Sequence, residues 1–134
     1  MSKIILDSNT YTHLFKGDGK VEEELNSAQS VYMSVIVMGE LLAAFKGGEY
    51  YSKNKVQFER FLDKVIVSIL DVGQETAKIY GEVKNYLNKK GTPIPANDLW
   101  IASQAIEVGA VLITYDRHFL KIPGLRIWDK LNVN

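Results

Sequence analysis

Residues 4–9 read Ile4-Ile5-Leu6-Asp7-Ser8-Asn9, a short unbroken apolar run closed by three residues that favour turns and helix caps. Successive apolar residues put hydrocarbon on both faces of an extended segment, which suits a buried central strand of a parallel sheet. Working outward, Val31-Tyr32-Met33 is a second, weaker strand. Ser34 stands where it would cap a helix carrying Val35, Met38, Leu41, Leu42 and Phe45, stopped by Gly47-Gly48. Tyr51 to Lys64 is expected to be helical, with Phe58, Phe61, Leu62 and Val65 on one stripe, and the β-branched run from Val65 to Leu70 to be a strand. Glu75 to Lys90 reads as a helix with Ala77, Tyr80, Val83 or Lys84, and Leu87 in register. Gly91-Thr92-Pro93-Ile94-Pro95 must be loop, because its prolines deny both helix and interior strand. It delivers the chain to Asn97-Asp98 and a helix marked by Leu99, Ile101, Ala102, Ala105 and Ile106, ended by Gly109. Val111-Leu112-Ile113 is a short buried strand leading to Thr114-Tyr115-Asp116, and Leu125 to Trp128 a last, edge strand. Strands alternating with helices imply right-handed crossovers and a mainly parallel sheet covered on both faces, a three-layer α/β/α architecture.

The chain of 134 residues is expected to be a single domain, 1–134, with no internal repeat. At 46% hydrophobic and 24% charged residues, with 3 prolines, it has globular and not disordered composition. Lys plus Arg number 16 against 16 Asp plus Glu, so no global field draws it to nucleic acid or anionic membrane, and any such contact needs a local patch. Cysteine is absent, which removes disulfides, thiolate metal sites and Cys nucleophiles; two histidines cannot build a histidine-rich metal site. The opening apolar run is too short for a signal-peptide core, and no window approaches the roughly 20 apolar residues of a membrane span. A cytoplasmic protein with no membrane partner is expected.

In open α/β sheets ligands sit beyond the carboxyl ends of the strands, where Asp7 and Asp116 each follow an apolar strand. Asp98 opens the helix leading back into the strand before Asp116, so it lies at the same edge. Glu40, in the helix after the second strand, adds a fourth carboxylate. Carboxylates sharing a crevice repel unless a cation neutralises them. Oxygen ligation without Cys selects Mg²⁺, with Mn²⁺ the alternative, over zinc or copper. Such an ion acidifies a water for attack on a phosphodiester, and a second one about 4 Å away would steady the leaving oxygen.

These residues resemble the PIN-domain ribonucleases, and among them the VapC-type toxins of toxin-antitoxin systems. The resemblance spans nearly the whole chain. It rests on Ile-Leu-Asp-Ser-Asn at 5–9, Ser-Val-Ile-Val-Met-Gly-Glu-Leu at 34–41, Asn-Asp-Leu-Trp-Ile-Ala at 97–102 and Leu-Ile-Thr-Tyr-Asp-Arg-His-Phe at 112–119, followed by Ile-Pro-Gly-Leu at 122–125. It implies a PIN-like fold and a Mg²⁺-dependent endoribonuclease hydrolysing RNA through a metal-activated water. Asp7, Glu40, Asp98 and Asp116 would form the acidic metal-binding and catalytic cluster, with Ser8, Asn9 and Thr114 as supporting polar positions. A cognate antitoxin protein and a homodimer are the implied partners besides RNA. Two positions depart from many relatives: Tyr115 replaces a small polar residue, and His118 replaces a further acid found in some, so one ion is expected and a second is conditional. With one ion, Asp98 or Asp116 is the expected orienting base.

Plainer roles stand beside these. Asp7 would serve as a turn cap, Asp98 as a helix N-cap and Asp116 as the start of a surface turn. His118 is read as an exposed loop residue, with proton shuttling the alternative, and Trp100 as core. Lys46, Lys53, Lys55, Arg60 and Lys64, with Tyr50 and Tyr51 between them, read as a solvated helix face or as a guide for RNA phosphates. Val37, Met38, Leu42 and Phe45 read mostly as core and partly as a patch for a second copy or an antitoxin helix. The rival functions are a PIN domain used in RNA processing or decay, and a non-catalytic module that binds RNA or protein.

Overall fold

The computed structural model describes residues 2–132. Its sheet comprises β1 (Lys3–Leu6), β2 (Ser30–Ser34), β3 (Val67–Leu70), β4 (Val111–Ile113) and β5 (Arg126–Ile127), in the order β3-β2-β1-β4-β5. Every neighbouring pair is parallel. Ile4, Ile5 and Leu6 are all buried, so both faces of β1 are covered, as the unbroken apolar run requires. The helices that cover them are α1 (Ser8–Phe15), α2 (Gly19–Ser27), α3 (Val35–Gly47), α4 (Tyr51–Leu62), α5 (Gln74–Lys90) and α6 (Ala96–Val108). This is the expected three-layer α/β/α arrangement. Among the described residues no helix is long and apolar enough to cross a membrane.

The chain steps outward from β1 to β2 and β3, then returns to lay β4 on the other side of β1. Strand order therefore reverses between β1 and β4, the place where such sheets open a crevice at their carboxyl ends. Leu6 pairs with Ile113, so the residues that follow, Asp7 and Thr114, leave the sheet side by side.

Helices α1 and α2 fill a stretch where patterning alone assigns nothing. Ser-Asn-Thr-Tyr-Thr-His-Leu-Phe is polar and β-branched, poor helix material by propensity. Its helix rests on the Asp7 cap and on burial of Thr10, Tyr11 and Leu14. Tyr11 meets Phe58 and Phe61 edge-on, each with ring centroids 5.4 Å away, which ties α1 to α4. Asp18 caps α2 by accepting from the Lys20 and Val21 amides, and Val21 and Leu25 form its buried face.

Three side-chain registers differ from expectation. Val65 belongs to no stripe: α4 ends at Leu62, the Val67 amide bonds back to the Lys64 carbonyl, and Val65 stands fully exposed at the tip of that turn. In α5 the buried residues are Thr76, Val83 and Leu87, and Ala77 is exposed, because the Thr76 hydroxyl is drawn inward to Glu107. In α3, capped by Ser34 as expected, Val37 and Leu41 are the fully buried pair, while Met38, Leu42 and Phe45 are partly buried against the core. Gly109, at φ +69°, stops α6 in the left-handed region and turns the chain into β4.

Candidate active site

Asp7 is 6% exposed and caps α1: its Oδ1 accepts from the Thr10 amide at 2.9 Å. The Thr10 hydroxyl lies 2.8 Å both from that oxygen and from the Ile113 carbonyl, and bridges β1 to β4. The other carboxylate oxygen, Oδ2, accepts from the Thr114 hydroxyl at 2.5 Å. Thr114 is itself fully buried, and its backbone carbonyl receives the Trp128 indole N–H at 2.6 Å. Parallel pairing thus sets Thr114 beside Asp7, and the two residues lock the end of β4 to the start of α1.

Glu40 lies half-buried in the second turn of α3. Ser8 donates to its Oε1 at 2.9 Å and Asn97 to its Oε2 at 3.5 Å, so α1, α3 and α6 meet at this carboxylate. Beside it runs an open groove of about 410 Å³ lined by Val35, Ile36, Gly39, Glu40, Ala43 and Asn97. Asp98 is not an N-cap. Pro95 holds that position and Asp98 stands three residues inside α6. Asp116 does cap the 3-10 turn Arg117–Lys121, accepting from the His118 amide at 3.2 Å, while its own amide donates to Thr114 Oγ1 at 3.0 Å. That turn folds His118 back between two acids: Nε2 is 2.9 Å from Asp98 Oδ2 and Nδ1 is 3.0 Å from Asp116 Oδ1. His118 is therefore no free loop residue.

The four carboxylates share one field. Burial pushes the Asp98 carboxyl above the usual carboxylate range; His118 opposes this, and the charges of Glu40, Asp116 and Asp7 add to it. Among the described residues none of the four is paired with Lys or Arg. Negative charge collected in a crevice with no Lys or Arg to balance it suits a divalent cation. Donor atoms of Asp98, Asp116 and His118 lie within 4.8 Å of one another, close enough to share one. The residues present fit such an ion.

Of the supporting positions, Ser8 and Thr114 touch the acids directly. Asn9 is exposed and makes no side-chain hydrogen bond among the described residues; Thr10 stands in the role expected of it. Thr10 and Asn97 are the contacts that sequence reading missed, although Asn97 lies inside a quoted motif; His118, read as an exposed loop residue with proton shuttling the alternative, reaches two of the acids. Trp100 stacks on Tyr80 at 3.9 Å and is half-buried. Lys46 and Lys55 flank the Tyr51 ring, while Lys53, Arg60 and Lys64 line a separate groove of about 600 Å³ with Phe15 and Val56, away from the acids. Tyr115 turns away from the acids, donating its hydroxyl to Asp18 Oδ2 at 2.6 Å.

Comparison with known proteins matches residues 4–125 to the PIN domain model. Ribonuclease VapC1 of Haemophilus influenzae strain R2866 is 32% identical over 130 residues, covering 93% of this chain and 96% of that protein. The tRNA(fMet)-specific endonuclease VapC of Salmonella typhimurium is 30% identical over 132 residues, covering 96% and 98%. Among solved structures, VapBC2 from Rickettsia felis bound to a DNA fragment from its promoter superposes with a TM-score of 0.84 at 27% identity, over 94% of this chain and 97% of that one.

Proposed function

The chain belongs to the PIN-domain family, among its VapC-type members, and from that premise we propose that it is a divalent-cation-dependent endoribonuclease, the toxin of a toxin-antitoxin pair. The observation that carries the reading is the meeting of Asp7, Glu40, Asp98 and Asp116 at the reversal point between β1 and β4, without a Lys or Arg partner among the described residues. The names of the relatives and the antitoxin complexes among the structural neighbours supply the nuclease and its partner.

In this reading Asp7, Glu40, Asp98 and Asp116 hold the cation, Mg²⁺ or Mn²⁺. When bound, such an ion neutralises charge on the phosphate and lowers the pKa of water. The chain's own residues do the rest. Thr10 and Thr114 clamp both oxygens of Asp7, and Ser8 and Asn97 hold Glu40, so these carboxylates are oriented before substrate arrives. Asp98 or Asp116, which flank His118, is the acid placed to orient the attacking water. Attack by water and not by the 2′-hydroxyl leaves a 3′-hydroxyl and a 5′-phosphate. The working form is a homodimer in the cytoplasm, silenced by an antitoxin that covers the crevice.

The test is incubation of RNA with purified, antitoxin-free protein in Mg²⁺ or Mn²⁺, in EDTA, and with Asp98→Asn. Discrete fragments that EDTA and the substitution both abolish are expected. Folded, partner-free protein that cuts nothing with either ion would move the chain to the non-catalytic binding modules.

A further inference from the structure

We propose that His118 is a ligand of the cation through Nε2, and that this nitrogen makes the site prefer a transition-metal ion such as Mn²⁺ to Mg²⁺. The inference rests on the proposed reading that the four acids hold a cation. Three observations carry it. First, Nε2 is buried and makes no hydrogen bond, although Asp98 Oδ2 is 2.9 Å away, so the carboxylate lies beside the nitrogen and not in line with it. Adjacent ligands on an ion with bonds of about 2.1 Å stand about 3 Å apart, which is this spacing. Second, Nδ1 is 3.0 Å from Asp116 Oδ1, so the imidazole is held between two carboxylates, one at each ring nitrogen. Third, donor atoms of Asp98, Asp116 and His118 fall within 4.8 Å of one another.

The reason His118 reaches the crevice is local. Asp116 caps the 3-10 turn by accepting the His118 amide, and the ring packs at 4.7 Å from Phe119, a buried neighbour. The imidazole is thus held in place by fold contacts. Carboxylates alone suit Mg²⁺, whereas an imidazole nitrogen adds affinity along the transition series and adds little for Mg²⁺.

Pulsed electron paramagnetic resonance on the untagged full chain loaded with Mn²⁺ reads the ligand directly. Imidazole ¹⁴N modulation is expected, lost in His118→Ala and kept in His13→Gln, the chain's only other histidine. Calorimetric titration with MnCl₂ and with MgCl₂ is the second measurement. His118→Ala is expected to weaken Mn²⁺ binding by tenfold or more and to leave Mg²⁺ binding within about threefold. Mn²⁺ bound by wild type without ¹⁴N modulation overturns the proposal, as does equal loss for both ions; the spectroscopic result needs no variant to fold. Failure of both ions to bind wild type would instead sink the cation reading itself, and with it this one.

Discussion

Thr114 joins fold and site through one hydroxyl, so Thr114→Val isolates its worth. The residue is fully buried; Oγ1 donates to Asp7 Oδ2 at 2.5 Å and accepts the Asp116 amide at 3.0 Å. A hydrogen bond to a charged group contributes about 1.5–3 kcal/mol, and the half-buried amide adds about 0.5–1.5. Valine has nearly the same shape and makes no cavity, so the expected loss is about 2–4.5 kcal/mol, from a 6%-exposed carboxylate left short of a partner. For a chain of this length that is a fall in Tm of roughly 4 °C per kcal/mol. Urea and thermal denaturation in EDTA read it, with Thr114→Ser as the control that keeps the hydroxyl and should lie within about 1 kcal/mol of wild type. A valine variant within about 0.5 kcal/mol of wild type, or a serine variant as damaged as the valine one, would refute the reasoning.

Ser8→Ala removes the 2.9 Å bond that orients Glu40 and should weaken Mn²⁺ binding by about tenfold while changing stability little; unchanged affinity in calorimetry would show that Glu40 needs no such support. Tyr115→Phe breaks the 2.6 Å bond to Asp18, which is the main reason the Asp18 carboxyl lies below the usual range. A depressed carboxyl stabilises the fold above its unfolded value, about 3.9, and that contribution disappears as pH falls through the folded one. The wild-type advantage over Tyr115→Phe should therefore be full at pH 5–8 and shrink in acid. At the other end, burial and then Asp18 push the Tyr115 hydroxyl up to about 12, so the advantage should also fade as pH rises from about 10. Urea midpoints across that range check both limbs, and a difference independent of pH contradicts them. Val65→Lys, at a fully exposed turn tip, should alter stability by less than about 0.5 kcal/mol; a loss of 2 or more would return Val65 to the core.

What sequence reveals here depends on how local its physical cause is. Ile4-Ile5-Leu6 declares a central strand because burial on both faces needs consecutive apolar residues, and the acids at its end and after β4 follow from parallel topology. Helix α1 does not declare itself, because its stability comes from the Asp7 cap and from Tyr11 wedged against Phe58 and Phe61, residues nearly fifty positions away. The slip at Val65 has the opposite cause: a β-branched residue beside a strand looks like strand, but a turn bond two residues on throws it into solvent. Thr10 was invisible as a partner of Asp7 for a subtler reason. Asn9 and Thr10 are both plausible polar supports, and only the helical turn that brings residue i+3 over a cap decides between them.

The plain and the chemical readings of the acids are not rivals, and their coexistence explains how the crevice holds so much charge. Asp7 caps α1, Asp116 caps the 3-10 turn, and Asp98 sits in the first turn of α6, so three of the carboxylates face helix N-termini, where the backbone favours negative charge. A carboxylate offers about four lone-pair sites, so a cap bond at one oxygen leaves others for a ligand. Among the described residues Asp98 differs from Asp7 and Asp116 in accepting no backbone N–H, and its carboxyl is the one driven upward by burial and by its neighbours. The caps hold Asp7 and Asp116 in fixed orientations through backbone N–H groups, whereas Asp98 accepts no such bond and is held instead beside His118. Which oxygens remain open at the crevice follows from which of these acids the helices have already satisfied.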